Sequence, residues 1–207
     1  MDINTTRLRC TLGWLATLLA WIVAALYSIS TQCFSIPPSI SDTFYTNACP
    51  VFMIILGASS FLLISYKGYD KQDDMISTIA GVFGLMICLF PTDPKLAPYL
   101  ETVGVFQLPV NLSKIIHIVS AVIFFALLAY NSLFLFTKTG GNITPEKKKR
   151  NIVYKVCGIG MIASFLILLL PYFYIKVWLM EMIALLFFGV SWLTKADYYP
   201  WLFADKK

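Results

Sequence analysis

Charge is scarce in this chain. Only 13% of its 207 residues are charged, while 58% are hydrophobic. Soluble domains carry about 25% charged and roughly 45–50% apolar residues. So few charges cannot cover so much apolar side chain in water, so lipid is the solvent the composition calls for. Histidine is nearly absent as well. The single one, His117, excludes a multi-histidine zinc centre. The five cysteines form no C-x-x-C pair, and neither G-x-S-x-G nor H-E-x-x-H occurs. No metal and no cofactor is expected. The net charge is +5, but the one dense basic run, Lys147-Lys148-Lys149-Arg150, lies between two apolar stretches. Such a run sets orientation or meets anionic headgroups. A nucleic-acid partner is excluded for want of a basic face with base-reading or stacking groups.

What is present is a set of six apolar runs, at about 11–30, 50–67, 75–91, 113–137, 152–173 and 176–194, each near the roughly 20 residues that span a bilayer core. They predict an all-α bundle of six transmembrane helices, a single domain over 1–207. The first run follows Arg7 and Arg9 but exceeds the roughly 7–15 residues of a secretory h-region, so it is expected to stay as a helix. With the N-terminus inside, the inner side holds Arg7, Arg9, Lys67, Lys71, Lys138, Lys147, Lys148, Lys149, Arg150, Lys155, Lys195, Lys206 and Lys207. The outer side holds only Lys95, Lys114 and Lys176. That imbalance places both termini in the cytoplasm. Aromatic residues at the span ends, Trp14, Trp178, Trp192 and Trp201 among them, fit interfacial positions.

Polar groups at membrane depth are few, and each needs a reason. Glu181 lies within the sixth run and His117 at a similar depth in the fourth. Both runs start from the outer side, so a hydrogen bond between the two is expected. Ser113, His117 and Ser120 share a helix face by their spacing. Asp42 and Tyr45 belong to the first outer loop, Asp93 closes the third run, and Lys114 and Lys176 start the fourth and sixth. Prolines stiffen both outer loops (Pro37, Pro38; Pro94, Pro98, Pro109) into a shaped cap. Three readings of His117 and Glu181 stay open. They are interhelical hydrogen bonding, the floor of a ligand site, or the acid–base pair of a metal-free membrane hydrolase or transferase. Cys33 and Cys49 bracket the first outer loop and would staple it by a disulfide if that side is oxidising.

The stretch Pro37-Pro38-Ser39-Ile40-Ser41-Asp42-Thr43 after the first run resembles the first outer loop of the DRAM/Frag/Sfk family of six-helix membrane proteins. Further along, the chain is similar to small bacterial proteins of that type. The shared features are Tyr45-Thr46, Ser65-Tyr66-Lys67-Gly68-Tyr69-Asp70, Leu89-Phe90-Pro91-Thr92, His117-Ile118-Val119-Ser120-Ala121, Phe134-Leu135-Phe136-Thr137-Lys138 and Glu181. The resemblance implies a bacterial cytoplasmic (inner) membrane and work on lipid organisation, lipid anchors or trafficking. Asp42 is the one residue it carries over, without a role.

The leading expectation is a protein that binds or moves a lipid or small amphiphile at the outer leaflet. Glu181 and His117 would form the polar floor. Asp42, Tyr45 and Asp93 would line the mouth, and Lys114 or Lys176 would meet an anionic headgroup. The rival classes are the hydrolase or transferase, and a ligand-free structural subunit paired with a protein partner or a second copy in the membrane.

Overall fold

The computed structural model describes residues 3–199. Trp201, Lys206 and Lys207, used above for interface and orientation, lie outside the described residues. Six long helices make up most of the rest: α1 (Ile3–Ser30), α2 (Cys49–Ser65), α3 (Lys71–Leu89), α4 (Val110–Tyr130), α5 (Pro145–Ser164) and α6 (Lys176–Lys195). α4 runs on through one π turn (Asn131–Leu135), and α5 ends in a 3₁₀ turn (Phe165–Leu169). A short 3₁₀ helix (Ser41–Tyr45) lies between α1 and α2. The chain is mostly helical as expected. Among the described residues the departure is a two-stranded hairpin, β1 (Thr102–Val103) with β2 (Leu108–Pro109), inside the long proline-rich connection.

Local chemistry sets the helix ends. The Asp70 carboxylate accepts from the Gln72 and Asp73 backbone N–H groups and starts α3 four residues before the apolar run begins. Thr144 caps α5 through the Lys147 N–H, and Pro145 takes the first-turn place where its missing N–H is harmless. The fifth helix stops earlier than hydropathy suggests. Regular structure ends at Leu169, close before Pro171, which cannot donate to a continuing helix.

Each helix packs against its neighbours in sequence, and α1 closes against α6, so the six form a ring. Glycines permit the closest approaches. A Cβ on Gly189 would collide with Thr17 Oγ1 and stand 2.7 Å from the Gly13 carbonyl oxygen across the α1–α6 contact. The interior is filled by Leu12, Ala16, Phe52, Leu63, Ala184, Phe188 and Trp192. The exterior is apolar too: Trp21, Phe61, Val122, Ile159 and Ile162 are exposed. A molecule oily on both sides is built for lipid. Five of the helices are long and apolar enough to cross a membrane, and α2, with 17 residues, is shorter. Polar ties inside the ring are sparse. Ser132, turned inward by the π turn, bonds the Tyr154 carbonyl (2.8 Å) and Ser191 (2.6 Å), joining α4, α5 and α6.

The helices alternate in direction. The segment 38–45, the connection 91–95 and the starts of α4 and α6 meet at one end, as Tyr45, Ser41, His117 and Glu181 show below. Arg9, Tyr66, Lys138, Lys147 and Lys195 gather at the other.

Candidate functional site

Pro37 and Pro38 steer the chain back over α6, where the Pro38 carbonyl accepts from Trp178 N–H at 3.1 Å. The next residues dip into the ring: Ser39, Ile40, Ser41, Asp42 and Thr43 are all buried. A descending loop brings backbone donors that need acceptors. Glu181 supplies one. Its Oε2 accepts from the Ile40 N–H at 2.6 Å, and its Oε1 lies 3.3 Å from Ser41 Oγ. The carboxyl thus stands at the N-terminus of the 3₁₀ helix, where exposed N–H groups favour negative charge.

His117 reaches the same serine. Its Nδ1 is 2.8 Å from the Phe90 carbonyl oxygen and its Nε2 is 3.1 Å from Ser41 Oγ. A carbonyl only accepts, so Nδ1 carries a proton. The expected direct bond between His117 and Glu181 is therefore replaced by a chain in which Ser41 stands between them. Ser41 has one hydroxyl proton to give. If it goes to Nε2, Oε1 must carry a proton to donate to Oγ. If it goes to Oε1, His117 must be doubly protonated to donate to Oγ. The two arrangements hold the same number of protons and differ only in where they sit.

Around this chain lies a cavity of about 370 Å³. Ser39, Ser41, Thr92, Asp93, Lys95, Lys114, His117 and Glu181 form its polar part. Ile118, Ala121, Val122 on α4, Phe165 and Leu168 after α5, and Val177 and Met180 on α6 form its apolar wall. Ile118 and Val122 are about half exposed on the outside of the bundle, so the wall between α4 and α6 is thin. Below it, a pocket of about 40 Å³ lined by Leu19, Phe52, Leu56 and Phe124 also touches Ser41 and Glu181. That is room for one water.

Lys114 pairs with Asp93 at 2.9 Å, and Lys95 with the buried Asp42 at 3.4 Å. Burial pushes the Asp42 carboxyl above its usual range, and Lys95 only partly offsets this. Tyr45 donates to the Thr92 carbonyl at 2.6 Å and ties the two connections together. Its phenol is pushed up by burial and by the nearby Asp42 and Asp93.

Asp93, Lys114, His117 and Glu181 thus share one cavity. Asp42 and Tyr45 stand behind it as braces and do not line the mouth. Lys176 faces a neighbouring recess and lies over the Tyr172 ring. Cys33 is an exposed free thiol and Cys49 a free thiol at the start of α2, so the anticipated disulfide is not formed. Ser39, Ser41 and Lys95 line the cavity without having been expected there. Serine in a loop is ordinary, and only the descent of that loop gives Ser41 its place between two ionisable groups.

No family model matches this chain, and neither a curated protein nor a solved structure is found to match it.

Proposed function

We propose that this protein spans the membrane six times with both termini cytoplasmic and binds a lipid or small amphiphile from the outer leaflet. The α2 helix, roughly 26 Å long at 1.5 Å per residue, is the shortest span. It lies in the ring between α1 and α3 and connects the two ends of the bundle, which supports its crossing with them. The excess of Lys and Arg at the Arg9–Lys195 end supports that end as cytoplasmic. A bacterial inner membrane and kinship with the DRAM/Frag/Sfk type belong to the same reading.

The observation that carries it is the two-sided cavity. Hydrogen-bonding groups and two lysines stand at one pole, and an apolar wall faces the bundle exterior. An amphiphile has the same polarity, with a headgroup that wants donors and cations and a tail that wants hydrocarbon. The test is mass spectrometry of lipid that co-purifies with the wild type, Glu181→Gln and Val177→Trp. Each variant should retain several-fold less lipid, one by altering the floor and the other by filling the wall. Equal occupancy in all three would refute the assignment.

A second reading is favoured by one contact. Ser41 Oγ faces His117 Nε2, and the Phe90 carbonyl holds the imidazole from behind. A serine beside an oriented base is the arrangement of an acyl hydrolase or transferase. Labelling of Ser41 by a fluorophosphonate, lost in His117→Gln, would favour that reading. An unlabelled serine would argue against it.

A further inference from the structure

The end opposite this cavity carries an arrangement that the amphiphile reading does not use. Four rings form a continuous row. Tyr66 lies edge-on to Trp192 (centroids 4.8 Å apart), Trp192 to Phe136 (5.1 Å) and Phe136 to Tyr154 (5.5 Å). Three cations rest on this row. Arg9 stands over Tyr66 at 5.5 Å, Lys195 over Phe136 at 4.9 Å and Lys147 over Tyr154 at 5.6 Å. Backbone carbonyls hold two of the cations in place. Arg9 donates to the Lys195 carbonyl at 3.3 Å, and Lys147 donates to the Phe136 carbonyl at 2.8 Å. Thus α1, the end of α2, the end of α4, α5 and α6 each contribute to one basket.

Two of these cations lack a carboxylate partner among the described residues. Lys95, Lys114 and Lys138 each meet an aspartate. Among the described residues, Lys147 and Lys195 meet none within salt-bridge reach. The acidic residues placed near Lys195 are held elsewhere: Asp73 by Lys138 at 3.2 Å and Asp197 by Arg150 at 3.0 Å. Trp192 adds an unmet donor within the row, among the described residues. Its indole Nε1–H is wholly buried and has no acceptor among the described residues. Aromatic faces attract a cation but leave its outward N–H groups unpaired. Like charges converging on one floor repel unless an anion sits among them.

We infer that the Arg9–Lys147–Lys195 basket over the Tyr66–Trp192–Phe136–Tyr154 row is a binding site for a phosphate-bearing anion, either a lipid headgroup of that leaflet or free phosphate. Lysine ammoniums as point charges and an arginine fork suit a phosphate oxygen shell. The site is independent of the amphiphile cavity and stands or falls without it.

The full chain in phosphatidylcholine nanodiscs provides the test. Lysine acetylation rates, mapped by mass spectrometry, are compared without additive, with inorganic phosphate, and with phosphatidylglycerol in the disc. Lys147 and Lys195 should be protected together, while exposed Lys71 and Lys148 keep their rates. Protection by inorganic phosphate in phosphatidylcholine identifies free phosphate as the ligand. Protection only with phosphatidylglycerol identifies the headgroup. In a paired experiment, K147Q/K195Q should weaken binding on the order of tenfold or more through loss of two charge-assisted contacts. K147R/K195R should largely retain binding. Unprotected lysines in every arm, or equal slowing of Lys71, would overturn the site, and this readout needs no variant to fold.

Discussion

Replacing Glu181 by alanine tests whether the carboxyl holds the inserted loop. In the wild type, Oε2 accepts from the Ile40 N–H at 2.6 Å and Oε1 bonds with Ser41 Oγ at 3.3 Å. Ile40 is buried, so alanine leaves its N–H without an acceptor. An orphaned buried donor costs about 1–3 kcal/mol, and the lost Ser41 contact about 1 more. The sum, roughly 2–4 kcal/mol, corresponds to a fall in Tm of about 5–15 °C for a chain of this size. Glutamine should behave differently. Its oxygen still accepts from Ile40, and its amide donates to Ser41 Oγ. Ser41 must then donate to His117 Nε2, the pattern of the protonated acid. Glu181→Gln is therefore expected within about 1 kcal/mol of the wild type, which keeps the lipid-occupancy comparison clean. Thermal denaturation followed by fluorescence-detected size exclusion measures both. If alanine melts with the wild type, or glutamine falls as far as alanine, the loop is held by something else and the hydrogen-bond chain is incidental.

Three further outcomes follow from the same structure. Asp42 has its folded-state pKa raised by burial, so its ionised form costs stability above the unfolded value, and the cost is relieved as pH falls through the folded value. Thermal melts of Asp42→Asn should be at least as stable as wild type at pH 7 and should lose part of the gain seen on mild acidification; a steeper acid gain in the variant would contradict this. Gly189→Ala should destabilise by about 1–3 kcal/mol because its Cβ meets the Gly13 carbonyl. Gly57→Ala, with nothing near its added carbon, should be neutral or gain up to about 1 kcal/mol, and equal effects in denaturant titrations would refute the close-approach argument. On a cysteine-free background, an impermeant thiol reagent should label Phe34→Cys, which is exposed beyond α1, in intact cells. It should label Lys148→Cys only after permeabilisation, and the reverse pattern would invert the proposed orientation.

Much of the architecture was legible in the residues themselves. Long uncharged runs can satisfy their backbones in lipid only as helices, so number and approximate place of the helices follow from hydropathy alone. The scarcity of ionisable groups pointed directly at His117 and Glu181, because a membrane interior makes such residues conspicuous. Helix ends were less legible. Asp70 extends α3 beyond its apolar stretch through a capping bond that a hydropathy window does not register.

What the sequence determined by itself was an apolar composition suited to lipid, the helical class and the two groups worth watching, since these depend on composition and on periodicity within one segment. Only the tertiary structure decided that Ser41 stands between those two groups, that Asp42 and Tyr45 brace the cavity from behind, and that three cations share an aromatic floor at the other end. These placements join residues far apart in the chain: Ile40 to Glu181, Tyr45 to Thr92, and Arg9 to Lys195. Such pairings arise from the closure of the ring and the descent of one loop, and no local pattern of residue types encodes either.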